Sequence, residues 1–389
     1  VAAAVLVGAA LLAARGLAGA GGPRTHLGHG GAKAPSAAAN PRLNPDYDGD
    51  GKPDTLVFGG DVNFPGGSVL AGRLAADPST ALGAGAKQLL GHSNLSMVNL
   101  ETALTFGVCP VPQPKQFVFW APPSALTALR DAGATLTTEA NNHGEDCGEP
   151  GLLQSLTIRA RKHYTVLGIG RDAHQAFTSY QTVLNGEHIG ILAATQVIDA
   201  DLVSTWTATS TQPGLASAYE VNELIHAVQV ARRIDDTVIV FLHWGVQLDP
   251  CPDPYQEPLA AALVRAGADI VIGSHAHVLL GAGYLGTALV DYGLGNFAFY
   301  NDPVPTNYTG SLVVTITGRH VDGYSWRPAV EEDEVPVPAS GAEAHAIQAR
   351  WVGARACTNL TAHPTRPLAS SGTESSPAGA SLLALLSSY

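Results

Sequence analysis

The sequence predicts an α/β body whose sheets are buried on both faces. Two observations lead there. Apolar strand-like runs alternate with helix-spaced segments through Ile272, and the pattern then becomes β-rich. The runs are apolar throughout, as in Thr237–Leu242 (TVIVFL), instead of alternating with polar residues; this marks strands covered on two sides. A composition of 46% hydrophobic and 14% charged residues over 389 residues supplies a core and excludes a wholly disordered chain.

The elements follow in order. Asp54–Gly60 (DTLVFGG) is an apolar strand running into Gly-Asp61, and Leu95–Leu100 (LSMVNL) is a second that ends at Glu101. Pro123–Gly133 has helical spacing, and Ala134–Thr138 is a third strand leading to Asn141-Asn142-His143. Glu149–Lys162 is helical, with strand Tyr164–Gly168 beyond it. Gln181–Leu184 and His188–Ala193 flank Asn185-Gly186, the strongest short hairpin signal. Tyr219–Arg233 is a helix, and strand Thr237–Leu242 ends at His243-Trp244-Gly245. Helix Pro254–Ala266 precedes strand Asp269–Ile272, which enters Gly273-Ser-His275-Ala-His277. Thr287–Asp291, Ser311–Thr317 and Gly323–Ala329 continue as strands. With no internal repeat, residues 54–330 read as one domain.

Both ends differ from this body. Val1–Ala13 is apolar but shorter than the roughly 20 residues a bilayer span needs. Residues 1–22 therefore read as a secretory signal, with Ala18-Gly19-Ala20 at the cleavage site, or as a retained anchor. Either reading makes the protein extracellular or cell-surface. Residues 23–53 read as a linker, 331–363 as a C-terminal extension and 364–389 as a disordered Ser/Ala-rich tail. Inside the linker, Asp46, Asp48, Asp50 and Asp54 with Gly51 have the spacing of the first half of a calcium loop. The bidentate Glu of an EF-hand is absent, Val57 standing there, and a solvated acidic turn is the plain alternative. The net charge of −12, with 21 Lys and Arg, excludes a nucleic-acid footprint. Cys109, Cys147, Cys251 and Cys357 contain no C-x-x-C, which points to disulfides and away from a thiolate zinc site. Of three pairings, Cys109–Cys147 with Cys251–Cys357 fits best. The first two each follow a metal-type motif, and the last would tie the extension to the body.

The chemistry lies at the strand ends. Asp61 with Asn63, Glu101, Asn142-His143, His243, and His275 with His277 each stand just beyond an apolar strand. In α/β folds those ends gather around one crevice. Carboxylate, amide and imidazole donors together suit one or two first-row divalent ions, Mn, Zn or Fe. On extended backbone, the rings of His275 and His277 would share a side. Trp244, Asn296 and Arg171 are candidate substrate contacts, although core packing is the plainer role for the tryptophan.

The ordered set GGDVN, NLE, ANNHGEDCG, HWG, GSHAHV and YGLGNF resembles the bacterial CapA family of poly-γ-glutamate capsule proteins, relatives of the calcineurin-like metallophosphoesterases. That resemblance implies a metallophosphatase-like two-sheet sandwich flanked by helices, with metals at its rim. It implies one ion at Asp61, Glu101, His277 and Asn63, and a second at Glu101, Asn142, His243 and His275. His143 would be the general acid or the electrostatic partner of the substrate. Two positions depart from the pattern: Asn63 offers a weak amide oxygen in place of imidazole, and Glu101 lengthens a bridge normally made by Asp. The implied function is synthesis, export or anchoring of poly-γ-glutamate or a related anionic envelope polymer, alongside membrane polymer-synthesis components. A secreted metal-dependent phosphoesterase and a non-catalytic polymer-binding module are the alternatives.

Overall fold

The computed structural model describes residues 51–300 and 303–369. From the N-terminal side come β1 (Asp54–Val62), α1 (Val69–Ala76), α2 (Gly83–Leu90) and β2 (Leu95–Leu100). The short strands β3 (Ala103–Leu104) and β4 (Trp120–Ala121) bracket a long loop, followed by α3 (Ser124–Asp131), β5 (Leu136–Thr138), α4 (Gly148–Lys162) and β6 (Thr165–Leu167). Next are β7 (Ile169–Gly170), α5 (Ala173–Phe177), β8 (Tyr180–Leu184), β9 (Glu187–Thr195), α6 (Val203–Trp206), β10 (Gly214–Leu215) and α7 (Val221–Arg232). Then follow β11 (Thr237–His243), α8 (Gln256–Ala266), β12 (Ile270–Ser274), β13 (Ala282–Leu285), β14 (Ala288–Asp291) and β15 (Asn296–Ala298). A β-hairpin, β16 (Tyr308–Thr317) and β17 (His320–Glu332), leads to β18 (Val335–Pro338) and α9 (Gly341–Ala354).

Two large sheets result. One has the order β18-β17-β16-β1-β2-β5-β6, with β15 also on β1; the other runs β13-β14-β12-β11-β9-β8. Side-chain alternation explains how they stack. Leu56 and Phe58 of β1 meet Ile239 and Phe241 of β11 in a layer between the sheets. Their neighbour Val57 turns outward onto Leu70, Leu126 and Leu152 of the helices. Val238 and Val240 likewise face Leu224, Val228 and Leu263 of α7 and α8. The molecule is thus an α/β two-sheet sandwich flanked by helices: the sequence pattern implies the α/β class, and the family resemblance implies the sandwich.

Several sequence-derived boundaries shift by a residue or two. The Asn185-Gly186 hairpin forms, with both residues at positive φ (43° and 95°) as a type I′ turn requires. Helices α1 and α2 were absent from the sequence reading, since both are short and Ala/Gly-rich. The sheet also carries on past Val330. β17 reaches Glu332, β18 adds a strand, and α9 buries Ile347 and Trp351 against the inter-sheet layer. Cys251 bonds Cys357, fastening the segment after α9, while Cys109 bonds Cys147 with their Cα atoms 5.0 Å apart. Asp46, Asp48, Asp50, the apolar run of residues 1–13 and the tail from residue 370 lie outside the described residues. Asp54 is inside them, buried at the start of β1, where it accepts a hydrogen bond from Asn185 at 2.9 Å. Among the described residues no helix is long and apolar enough to cross a membrane.

β1 fixes the geometry of everything at the rim. Its last residues pair in parallel with β2 on one side (Asp61 opposite Asn99) and with β15 on the other (Asp61 opposite Asn296). Gly60 makes that approach feasible: a Cβ there would lie 1.8 Å from the Gly295 carbonyl oxygen. Gly60→Ala should therefore force β1 and β15 apart, with a cost of about 3 kcal/mol or more. A denaturant-unfolding midpoint close to that of the parent protein would contradict this.

Candidate metal centre

Parallel strands of both sheets end at the same place, and their C-terminal residues meet there. The backbone N–H of His275, just past β12, donates to Asp61 Oδ2 at 3.1 Å across the gap between sheets. Two groups of donors lie close enough to hold ions: Asp61, Glu101 and His277, and Glu101, His243 and His275. Within each, one ligand atom per residue lies within 4.8 Å of the others. Glu101 Oε1 is the common point, 3.9 Å from His243 Nε2 and 3.9 Å from His277 Nε2. Asn142 joins the second group, its Oδ1 2.7 Å from His243 Nε2.

Neighbouring polar groups hold these ligands in place. Asn99 on β2 donates from Nδ2 to Asp61 Oδ1 at 2.8 Å and sits 3.2 Å from His243 Nδ1. Ser274 Oγ is 2.9 Å from that same nitrogen. Asn296 Oδ1 lies 2.8 Å from His277 Nδ1, which assigns the proton to Nδ1 and turns Nε2 inward. Such outer partners fix tautomer and ring direction at a metal site. His275 and His277 do not sit on extended backbone as the H-x-H spacing suggested. Their φ values are +95° and +55°, in the left-handed half of the map that non-glycine residues avoid. The chain must turn sharply off β12 at this point, and the two rings, 5.8 Å apart, still converge on Glu101.

An orphaned group shows that this cluster suits a cation. Glu101 is buried, yet neither carboxylate oxygen has a hydrogen-bond partner, and both polar atoms of buried Asn63 are in the same position. Burial raises the pKa of Asp61, and burial together with the charge of Asp61 raises that of Glu101 well above the usual carboxylate range. Burial also keeps the imidazoles neutral: His243 is well below its ordinary value and His275 falls to about 3. Neutral imidazoles beside carboxylates that shed protons to a competing ion are the donor chemistry of a divalent-metal site.

His143 stands beside the ligands. Its Nδ1 is 2.6 Å from Asp146 Oδ2, and its Nε2 points toward the cluster, 3.8 Å from Glu101 Oε1. Burial lowers its pKa, and Asp146 partly offsets this. Asp146 is itself held by the Phe119 N–H at 2.6 Å and by Lys115 Nζ at 2.7 Å; Lys115 also donates to the Asn142 carbonyl. The Cys109–Cys147 bond fastens the loop that brings Lys115 and Phe119 here. Sequence reasoning gave no role to Asn99, Asp146 or Lys115. The first two stood inside the motifs NLE and ANNHGEDCG, on the same strand face as Glu101 and three residues after His143. Lys115 lies in a Pro/Gln-rich loop and gave no local signal.

Of the three candidate substrate contacts, Asn296 stands at the cluster as a brace, and the other two are placed differently. Trp244 is fully buried, donates to the Tyr292 carbonyl at 3.0 Å and stacks on Tyr292 in the core. Asn296 is also wholly buried, committed to His277 and, through Nδ2, to the Thr306 carbonyl at 3.2 Å. Arg171 is exposed at the start of α5, where its backbone N–H bonds Gln175.

A two-sheet α/β sandwich with a buried carboxylate–imidazole cluster at its strand ends defines a protein with a candidate divalent-metal centre. The chain belongs to the bacterial capsule synthesis protein PGA_cap family, whose profile matches residues 55–301. It is 32% identical over 180 residues to the capsule biosynthesis protein CapA of Bacillus anthracis, covering 45% of this chain and 42% of that protein. Identity to the PGA biosynthesis protein CapA of Bacillus subtilis (strain 168) is 33% over 177 residues, or 45% of each. The chain thus matches less than half the length of either relative. Among solved structures, the sulfate thiohydrolase SoxB of Thermus thermophilus superposes loosely, with a TM-score of 0.41 at 12% identity over 78% of this chain and 60% of that one.

Ion binding should release protons. Asp61 and Glu101, with raised pKa values, stay protonated further up the pH scale than ordinary carboxyls, so an ion competes with those protons and its affinity falls as pH falls. Calorimetric titration with Mn²⁺ or Zn²⁺ in two buffers of different ionisation enthalpy should show net proton release that shrinks as pH rises. Equal heats in both buffers at pH 6 would count against this cluster.

Proposed function

We propose that this chain acts in the synthesis, export or anchoring of poly-γ-glutamate or a related anionic envelope polymer, and that its metal centre handles an anionic group of that polymer or of a phosphoester. The single observation that carries the reading is the convergence of Asp61, Glu101, His243, His275 and His277 on one buried point. Family membership and the capsule-synthesis names of the two Bacillus relatives supply the polymer. Their full activity belongs to chains more than twice as long as the matched segment, so the role in export or anchoring and the envelope location are part of this proposal.

Asp61, Glu101 and His277, with Asn63, would hold one ion; Glu101, His243 and His275, with Asn142, would hold the other. Divalent ions there supply positive charge and Lewis acidity toward an anionic group. The protein's own residues do the rest. Two carboxylates offset only half the charge of two divalent ions, so the pocket attracts carboxylate or phosphate although the chain carries −12 overall. His143, with Asp146 behind it, keeps Nδ1–H donated to the carboxylate and presents Nε2 to the bound group. An anion beside Nε2 favours the protonated ring, which can then donate its proton to a leaving oxygen or nitrogen. The His143–Asp146 pair is the specific observation favouring a second reading, metal-assisted hydrolysis of a phosphoester.

Elemental analysis of the purified protein, paired with hydrolysis assays on an aryl phosphate and on γ-glutamyl oligomers, tests both readings. His275→Ala/His277→Ala should lose bound metal and about 100-fold or more of any hydrolysis. A variant that kept its metal and its capsule phenotype would remove the cluster from the function.

A further inference from the structure

A second surface on this molecule has the chemistry to hold an acidic chain. A cavity of about 640 Å³ opens where the free edges of the two sheets come together, lined by β6 and the end of α4 on one side and by α5 and Tyr180 of β8 on the other. β6 and β8 are the last strands of their sheets. Residues 159–180 carry four Lys and Arg against one acid, in a chain of net charge −12. That acid, Asp172, is spent capping α5, accepting from the Gln175 N–H at 2.7 Å.

Arg159, His163 and His174 line the cavity, and the charge of Arg171 reaches Arg159, though less strongly than that of Glu139. Like charges held near one another favour an anion that joins them. The exposed carbonyls at the end of α4, which would repel an anion, are covered by Arg130, which donates to the Lys162 and His163 oxygens at 2.7 and 3.3 Å. Behind Arg159, burial raises the Glu139 carboxyl to about 8, while the guanidinium charge works in the opposite direction. Arg159 also donates to the Val166 and Ile169 carbonyls, at 2.7 and 3.2 Å, and that alone explains one arginine as a guard for the strand edge. It does not explain His163 and His174 on the same opening, with the charge of Arg171 close by.

We propose that this groove is a second binding site, for an extended polycarboxylate chain, separate from the metal centre. The inference rests on the reading that the protein handles an acidic polyamide. Carboxylates at intervals match Arg159 and Arg171, and a chain of amides matches the polar edge of β6. Duplex nucleic acid fits poorly, because the charge of the whole protein repels it and the cationic surface is narrow.

The test is calorimetric or NMR titration of the full chain with synthetic hexa-γ-glutamate at low salt. Arg171→Gln/His174→Gln alters two exposed side chains and should weaken binding about tenfold, with the loss shrinking as salt rises. His275→Ala, which strikes the metal centre, should leave most of that binding in place. Undiminished binding by Arg171→Gln/His174→Gln, or no binding by the unaltered protein, overturns the groove. Neither result touches the metal-centre reading, which stands or falls on metal content and hydrolysis. Should an inorganic polyphosphate of equal charge bind as tightly, and lose as much in the double variant, the assignment to carboxylates is overturned in favour of any polyanion.

Discussion

Glu101 places a carboxylate where the protein offers it no hydrogen bond, and the rest of the rim is organised around that fact. A buried ionised group without a partner costs several kcal/mol, so it must be protonated, paired or bound to an ion. Burial keeps His243 and His275 neutral, and no surrounding imidazole donates to it in a short, direct bond. The cluster is poised to bind a cation, and its geometry depends on two sheets presenting their strand ends to each other.

The fold meets this demand through β1. A single strand pairs with β2, β15 and β16, so Asp61 is set in register against Asn99 and Asn296. Those two amides then reach out to His243 and His277, which arrive from different segments of the chain. The histidines of the 275–277 turn sit in backbone conformations that cost energy, a strain sustained by the packing on either side. Towards solvent, the Cys109–Cys147 loop inserts Lys115 and Phe119 against Asp146, which in turn holds His143. Asp61, His243 and His277 are thus braced by neighbouring polar groups, and a small backbone displacement at Gly60 would be felt across the cluster.

Much of this was readable in the residues. The apolar runs of β1, β2, β11 and β12 locate four strands, and a polar residue just beyond each predicts a shared crevice. His275 and His277 were readable as a pair, but not their left-handed backbone, because H-x-H spacing is compatible with both extended and turning chains. Trp244 and Asn296 looked available to a substrate only because a sequence does not show which side of a strand end is covered. The helices α1 and α2 were silent, since eight-residue Ala/Gly-rich segments carry little periodicity. The strand and helix after Val330 were unread for a related reason: Pro336 and Pro338 obscure β18, and α9 buries only Ile347 and Trp351.

By itself the sequence determined the α/β class and offered the candidate donor residues and the preferred pairing of cysteines, because strand patterning, donor chemistry and loop position are local properties. Tertiary structure alone decided that Asn99 and Asn296 serve as braces. It also decided that a lysine from another loop stands beside His143. Those outcomes depend on distances between segments separated by tens to hundreds of residues, which are set by the packing of two sheets.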